Sequence, residues 1–148
     1  MPFRKILFPT DFSDPSREAL RVAVDVARES GGTLTLFHAW DIPVYSYAEA
    51  MIPPSVFSDI AAEAEKELVA WKREAEKLGA SKVTTKLGNG TAWDQIVEIL
   101  KQDLSFDLVV MGTHGRTGLK HAFIGSVAEK VVRHAPCPVL VVRQRDDR

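Results

Sequence analysis

Cysteine is nearly absent from this chain: Cys137 is the only one in 148 residues. No intrachain disulfide can form, and there is no Cys-x-x-Cys redox pair. Cys137 itself, between Pro136 and Pro138, reads as a small buried residue beside a strand. An excess of one charge is lacking too. With 19 basic and 20 acidic residues the formal net charge is −1. That removes the broad field that draws proteins to DNA, RNA or anionic membrane, so any anion must be caught locally. No apolar run approaches membrane-spanning length. Met1-Pro2-Phe3-Arg4-Lys5 opens into an apolar run too short for a secretory signal, with no small-residue cleavage site. A cytoplasmic location is expected.

Several chemical signatures are missing as well. The chain has no G-x4-G-K-[ST] loop and no early G-x-G-x-x-G fingerprint. Its four histidines show no zinc-ligand spacing, so no metal site is assigned. No serine, histidine and acid stand in a hydrolase motif, and no catalytic residue is assigned. Neither a basic stripe nor an aromatic platform points to nucleic acid.

What is present suits one domain spanning residues 1–148, with 45% apolar and 26% charged residues. A chain of this length buries roughly 70% of its unfolded surface, enough for a core without staples. Strand and helix patterns alternate. Ile6-Leu7-Phe8 reads as a strand buried on both faces. Asp14-Pro15 reads as an N-cap and first helical position, Leu20, Ala23, Val24 and Ala27 as an inner helix face, and Gly31-Gly32 as its stop. Thr33 to Trp40 reads as a second strand, and 41–57 as irregular, broken by Pro43, Pro53 and Pro54. Ile60, Ala64, Leu68, Trp71, Ala75 and Leu78 form one helical stripe ended by Gly79. Val83, Thr85 and Leu87 alternate as an edge strand does, and Gly88-Asn89-Gly90 reads as a turn. Thr91 with Asp94 resembles a capping box for a helix carrying Trp93, Ile96, Val97 and Leu100. Leu108 to Met111 is the most apolar strand before a glycine loop. Ser126 with Glu129 reads as a capping box for a fourth helix, and Val139 to Val142 as the last strand.

Five strands separated by helices imply a doubly wound α/β fold with a mostly parallel sheet and right-handed crossovers. Ligands in such sheets sit beyond the carboxyl ends of the strands, where strand order reverses. That singles out Pro9-Thr10-Asp11 after the first strand and the loop entered at Met111-Gly112 after the fourth. The loop reads Gly112-Thr113-His114-Gly115-Arg116 and leads to Gly125-Ser126-Val127, a G-x2-G-x9-G-S pattern between strand and helix. Glycines let backbone approach phosphate closely and adopt positive φ. Successive N–H groups form an anion nest, and a helix N-terminus adds free amides and a positive dipole end. Arg116, Lys120 and His121 supply local charge. Each glycine taken alone can be a strand end or a turn, and Ser126 can be a helix cap. The spacing taken together points to phosphate. Asp11 can close a local Asp-x-Ser turn or accept hydrogen bonds from ribose hydroxyls. His38 reads as a hydrogen-bonded core histidine, and His114 as a loop residue facing ligand or solvent.

These motifs resemble the universal stress protein family over roughly residues 3 to 143. The likeness begins with Lys5-Ile6-Leu7-Phe8-Pro9-Thr10-Asp11-Phe12-Ser13 and continues through Leu36-Phe37-His38. It is strongest in Met111-Gly112-Thr113-His114-Gly115, in Gly125-Ser126-Val127-Ala128, and in Ala135-Pro136-Cys137-Pro138 followed by Val139 to Val142. The resemblance implies a Rossmann-like five-stranded sheet of order 3-2-1-4-5 and a homodimer through Val139–Val142. The complete glycine pattern places the chain with the ATP-binding branch, with or without Mg2+. By position Asp11 meets adenine or ribose, beside Pro9 and Thr10, and Ala39 offers backbone to the base. Gly112, Gly115, Gly125 and Ser126 hold phosphates, with Met111, His114, Arg116 and Val127 adjoining. Trp40-Asp41 and the Tyr45-Ser46-Tyr47 loop depart from the family pattern. A nucleotide-binding regulatory dimer of a stress response, with an unknown protein partner, follows. The rivals are a slow ATPase or self-phosphorylating enzyme, for which no convincing base is visible, and a dimeric interaction module without nucleotide.

Overall fold

The computed structural model describes residues 2–41, 53–113 and 124–144. Its elements run β1 (Lys5–Pro9), α1 (Asp14–Ser30), β2 (Thr33–Trp40), α2 (Pro54–Lys77), β3 (Val83–Asn89), α3 (Ala92–Gln102), β4 (Leu108–Gly112), α4 (Ser126–His134) and β5 (Val139–Val142). The five strands form one all-parallel sheet in the order β3-β2-β1-β4-β5. This is the Rossmann-like α/β fold that the family resemblance implied.

Alternation along the strands builds two cores. Ile6, Phe8, Leu34, Leu36, Leu108 and Val110 face one side, where Leu20, Val24, Leu68 and Trp71 of α1 and α2 cover them. Leu7, Phe37, Val109 and Met111 face the other, beneath Ile96 and Leu100 of α3 and Val131 of α4. A strand covered on both faces buries every residue, which is why Ile6-Leu7-Phe8 and Leu108 to Met111 are continuous apolar runs. The edge strand β3 keeps the alternation expected of it, with Val83 buried and Thr84 and Lys86 exposed.

Several boundaries differ from the sequence reading. The cap of α1 is Ser13, so Asp14 is already helical; Gly31 closes the helix in the left-handed conformation at φ +66°. Pro53 and Pro54 do not merely break structure. Pro53 is the N-cap of α2 and Pro54 its first residue, where a missing N–H and fixed φ cost nothing. Gly88 and Asn89 remain paired with Ala39 and Trp40, so β3 is longer than its turn-like residues suggest. The turn belongs to Gly90, at φ +138°. A Cβ on Gly88 would lie 2.8 Å from the Phe37 ring, so that glycine is there to make room. Thr91 caps α3 by position, but without a side-chain hydrogen bond.

Candidate functional site

Parallel connection places every strand's carboxyl end, and every following helix's N-terminus, on one side of the sheet. β1 and β4 are neighbours there, although residues 10–107 separate them in sequence. Between their ends lies a cleft of about 260 Å³, near the lower end of the usual size for small-molecule pockets. Pro9, Thr10 and Asp11 form one wall, and Met111, Gly112 and Thr113 another. Gly125, Ser126, Val127 and Ala128 open α4 onto it, Phe37, His38 and Ala39 come from β2, and Ser16, Ala92 and Ile96 complete the lining.

Nine sequence-predicted site residues are therefore brought to one cleft: Pro9, Thr10, Asp11, Ala39, Met111, Gly112, Gly125, Ser126 and Val127. His114, Gly115 and Arg116 lie outside the described residues, as do Lys120, His121 and Tyr45-Ser46-Tyr47. Residues not singled out as ligand contacts also line the cleft. Phe37 was legible only as part of a strand and Ile96 as an inner helix face, but the period-2 alternation Thr35, Phe37, Ala39 puts Phe37 on the face that carries Ala39.

The end of the cleft that would receive an anion is built from main chain. Among the described lining residues there is no lysine or arginine, and Asp11 is the one carboxylate. The first helical hydrogen bond of α4 runs from the Glu129 amide to the Gly125 carbonyl. The amides of Ser126, Val127 and Ala128 precede it and are the orphan donors of the helix start, at the positive end of its dipole. Two expectations need correction. Gly125, not Ser126, is the N-cap, with no side-chain cap bond, and Glu129 pairs with Arg133 at 2.8 Å instead. The Gly125 amide is not available to a ligand, because it donates to the Thr113 carbonyl. Positive φ is not what the two described glycines of the pattern supply either. Gly125 sits at φ −73°, and Gly112 is extended β4 backbone. What remains for them is close approach.

The opposite wall is a pinned loop. The Thr10 amide donates to the Phe37 carbonyl at 2.8 Å. The Thr10 hydroxyl lies 2.9 Å from that of Ser16 and accepts the Phe12 amide at 2.9 Å. The Ser13 amide donates to Asp11 Oδ1 at 3.0 Å, the Asp-x-Ser turn read from sequence. His38 Nδ1 lies 2.7 Å from the Thr10 carbonyl. A carbonyl only accepts, so Nδ1 carries the hydrogen. The hydrogen bond expected of His38 is present, but the residue is half-buried on the cleft lining rather than in the core. Phe12 is the only described non-glycine residue with positive φ, +64°, a conformation that costs an L-residue about 1–2 kcal/mol. Its ring stacks on His38 at 4.2 Å and meets Trp71 at 5.9 Å.

Away from the cleft, Cys137 is half-buried rather than buried. Burial, and then the Asp107 charge, pushes its thiol above its usual pKa, which leaves it protonated and unreactive at neutral pH. Among the described residues no group of three or more side chains is placed to hold a metal, and no helix is long and apolar enough to cross a membrane.

The model of the universal stress protein family matches residues 2–143. The chain belongs to the universal stress protein family. Universal stress protein MJ0531 of Methanocaldococcus jannaschii is 36% identical over 143 residues, 96% of this chain and 83% of that one. Among solved structures, hypothetical protein MJ0577 superposes with a TM-score of 0.85 at 30% identity, covering 99% of this chain and 100% of that one. Two lower-identity matches carry the fold alone. A universal stress protein in complex with cAMP has a TM-score of 0.71 at 23% identity, covering 98% and 100% of the two chains. The Archaeoglobus fulgidus protein in complex with dAMP has a TM-score of 0.66 at 22%, covering 95% and 98%. Some members of this fold thus hold adenine nucleotides.

Proposed function

We propose that this chain is a single regulatory domain, residues 1–148, that holds ATP in the β1–β4 cleft and acts as a homodimer in a stress response. The observation that carries the reading is the opening of α4 onto the cleft that Asp11 also lines, its Ser126, Val127 and Ala128 amides ahead of the first helical bond. In a cleft whose described lining has no cationic side chain, those amides are what can replace water around phosphate oxygens. The wall of Phe37, Ala39, Ile96 and Met111 suits a purine face. The Asp11 carboxylate suits ribose hydroxyls, and Gly112 lets backbone approach the phosphates. Pro9, Thr10 and Val127 adjoin. The sequence pattern adds His114, Gly115 and Arg116 on the phosphate side. The cAMP and dAMP complexes of other members support an adenine nucleotide as the ligand class.

Mg2+ binds nucleotides chiefly through phosphate oxygens with one or two carboxylates. Asp11 is the described lining residue that fits such a role. The edge strand β5 carries Leu140, 39% exposed, and supports dimerisation through Val139–Val142.

The test is to denature the purified protein and resolve the supernatant by anion exchange. Released ATP, with calorimetric rebinding, is the expected result. An empty trace with no calorimetric binding overturns the reading in favour of a dimeric module without nucleotide. ADP accumulating at a rate proportional to protein would make the chain a slow ATPase instead.

A further inference from the structure

The loop between β1 and α1 gathers two unfavourable features beside the cleft. Phe12 stands in the left-handed region at φ +64°, and the Ser13 hydroxyl is buried without a hydrogen-bond partner. Such features persist where surrounding contacts over-determine the backbone, and they concentrate at functional sites. The over-determining contacts here are specific. The Phe12 ring lies on the His38 imidazole, centroids 4.2 Å apart and planes inclined by 28°. His38 in turn donates to the Thr10 carbonyl at 2.7 Å, and the Thr10 hydroxyl accepts the Phe12 amide. Phe12 is thereby held from its ring and from its backbone by two residues that themselves line the cleft. Asp11 lies between Thr10 and Phe12, and its carboxylate is turned back onto the Ser13 amide.

We infer that Phe12 is a positioning residue for Asp11: its stack on His38 holds Phe12 in the left-handed conformation and thereby keeps the Asp11 carboxylate on the cleft wall. The ring need not touch a ligand to do this, and Phe12 is not among the residues lining the cleft. Without the stack, nothing in the local sequence favours a phenylalanine at positive φ over the ordinary extended or helical regions. Relaxation of φ at Phe12 would swing the Asp11–Ser13 turn. A plain packing role predicts lost stability alone; a positioning role predicts lost affinity that runs through Asp11.

The ligand part of this inference rests on the proposed nucleotide reading, so the test has two arms. In the first, ATP affinity is measured for the parent chain, Phe12→Leu, Asp11→Ala and the double variant. Phe12→Leu is expected to weaken binding about ten-fold in the parent background and to have no effect in the Asp11→Ala background, as coupled neighbours do. Phe12→Tyr, which keeps the ring face, recovers most of the affinity lost in Phe12→Leu. Equal losses in both backgrounds overturn the inference. In the second arm, amide hydrogen exchange at Ser13 is read by NMR without nucleotide. Faster exchange in Phe12→Leu than in the parent chain is expected, and an unaltered Ser13 amide overturns the inference whatever the ligand does. A parent chain that takes up no ATP overturns the proposed function, and the Ser13 amide then decides the positioning role alone.

Discussion

The Gly125 amide donates to the Thr113 carbonyl, joining the residue that caps α4 to the residue that follows β4. The bond fixes where α4 begins relative to the end of β4. It also changes which amides can meet a ligand. Gly125 is committed to the protein, and the next three residues, Ser126 to Ala128, line the cleft with their amides ahead of the first helical bond.

Gly125→Val separates capping from ligand access. The cap backbone, φ −73° and ψ 162°, is open to any residue, so the fold survives with a loss of about 1 kcal/mol from a poor capping residue. A β-branched side chain on the cleft lining is expected to lower ATP affinity at least about 100-fold, in line with an overpacking cost near 3 kcal/mol. Calorimetric titration with ATP and a thermal melt separate the two effects. Unchanged affinity would remove the α4 start from the site.

Asp11→Asn isolates charge from turn geometry. An amide oxygen can still accept the Ser13 N–H now held at 3.0 Å, so stability is expected to stay within about 0.5 kcal/mol of the parent. Affinity for ATP should fall about ten-fold, because hydrogen bonds to a charged acceptor are the stronger ones. Asp11→Ala should bind more weakly still, with the fold intact. Titration of all three proteins at one ionic strength checks this. Equal affinities would take Asp11 out of the site.

The adjacent glycines Gly31 and Gly32 should respond differently, for different reasons. Gly31 stands at φ +66° with open space where a Cβ would go, whereas a Cβ on Gly32 would lie 2.5 Å from the Phe3 carbonyl oxygen. Gly31→Ala is expected to cost about 1–2 kcal/mol, and Gly31→Asn less, since asparagine tolerates that conformation. Gly32→Ala should cost about 1–3 kcal/mol, with no relief in Gly32→Asn. Urea unfolding of the four variants decides the matter. An asparagine that rescues both positions would contradict the steric account of Gly32.

At the other end of the sheet Lys5 Nζ lies 2.6 Å from Asp103 Oδ2. That hydrogen bond, helped by Ser105, holds the Asp103 carboxyl at about 2, against an ordinary value of 3.8. A carboxyl lowered on folding stabilises the protein above its unfolded pKa and ceases to as pH falls through the folded one. The difference in melting temperature between the parent chain and Asp103→Asn should therefore be present at pH 7 and shrink between 3.8 and about 2. The pair is exposed, so the difference is small. A constant difference across that window would mean the ion pair contributes nothing.

The fold was legible where burial is two-sided. Ile6-Leu7-Phe8 and Leu108 to Met111 declare themselves because both faces are covered, and the stripe through Ala64, Leu68 and Trp71 because one is. Strand order is not a property of any segment, and came through the motif resemblance. Sequence misplaced the caps at both α1 and α4 by one residue. Ser13, Asp14 and Ser126 are all good capping types, and only tertiary hydrogen bonds such as Gly125 to Thr113 choose among neighbours. Gly88-Asn89 misled for a related reason: a glycine that clears room for the Phe37 ring has the same letter as one that turns the chain. Of the cleft lining, the glycine and polar positions stood out by motif and Pro9, Ala39, Met111 and Val127 by the family resemblance, while Phe37 and Ile96 hid among apolar residues that share their chemistry.

In the proposed function, amides at the start of α4 take the place of water around a polyphosphate. The most direct measurement is a 15N–1H NMR titration of the labelled protein with ATP. Saturable shifts of the Ser126, Val127 and Ala128 amides are expected, with the Gly125 amide still protected from exchange by its bond to Thr113. ATP binding that leaves those three amides unmoved, or no binding at all, would contradict the proposed function.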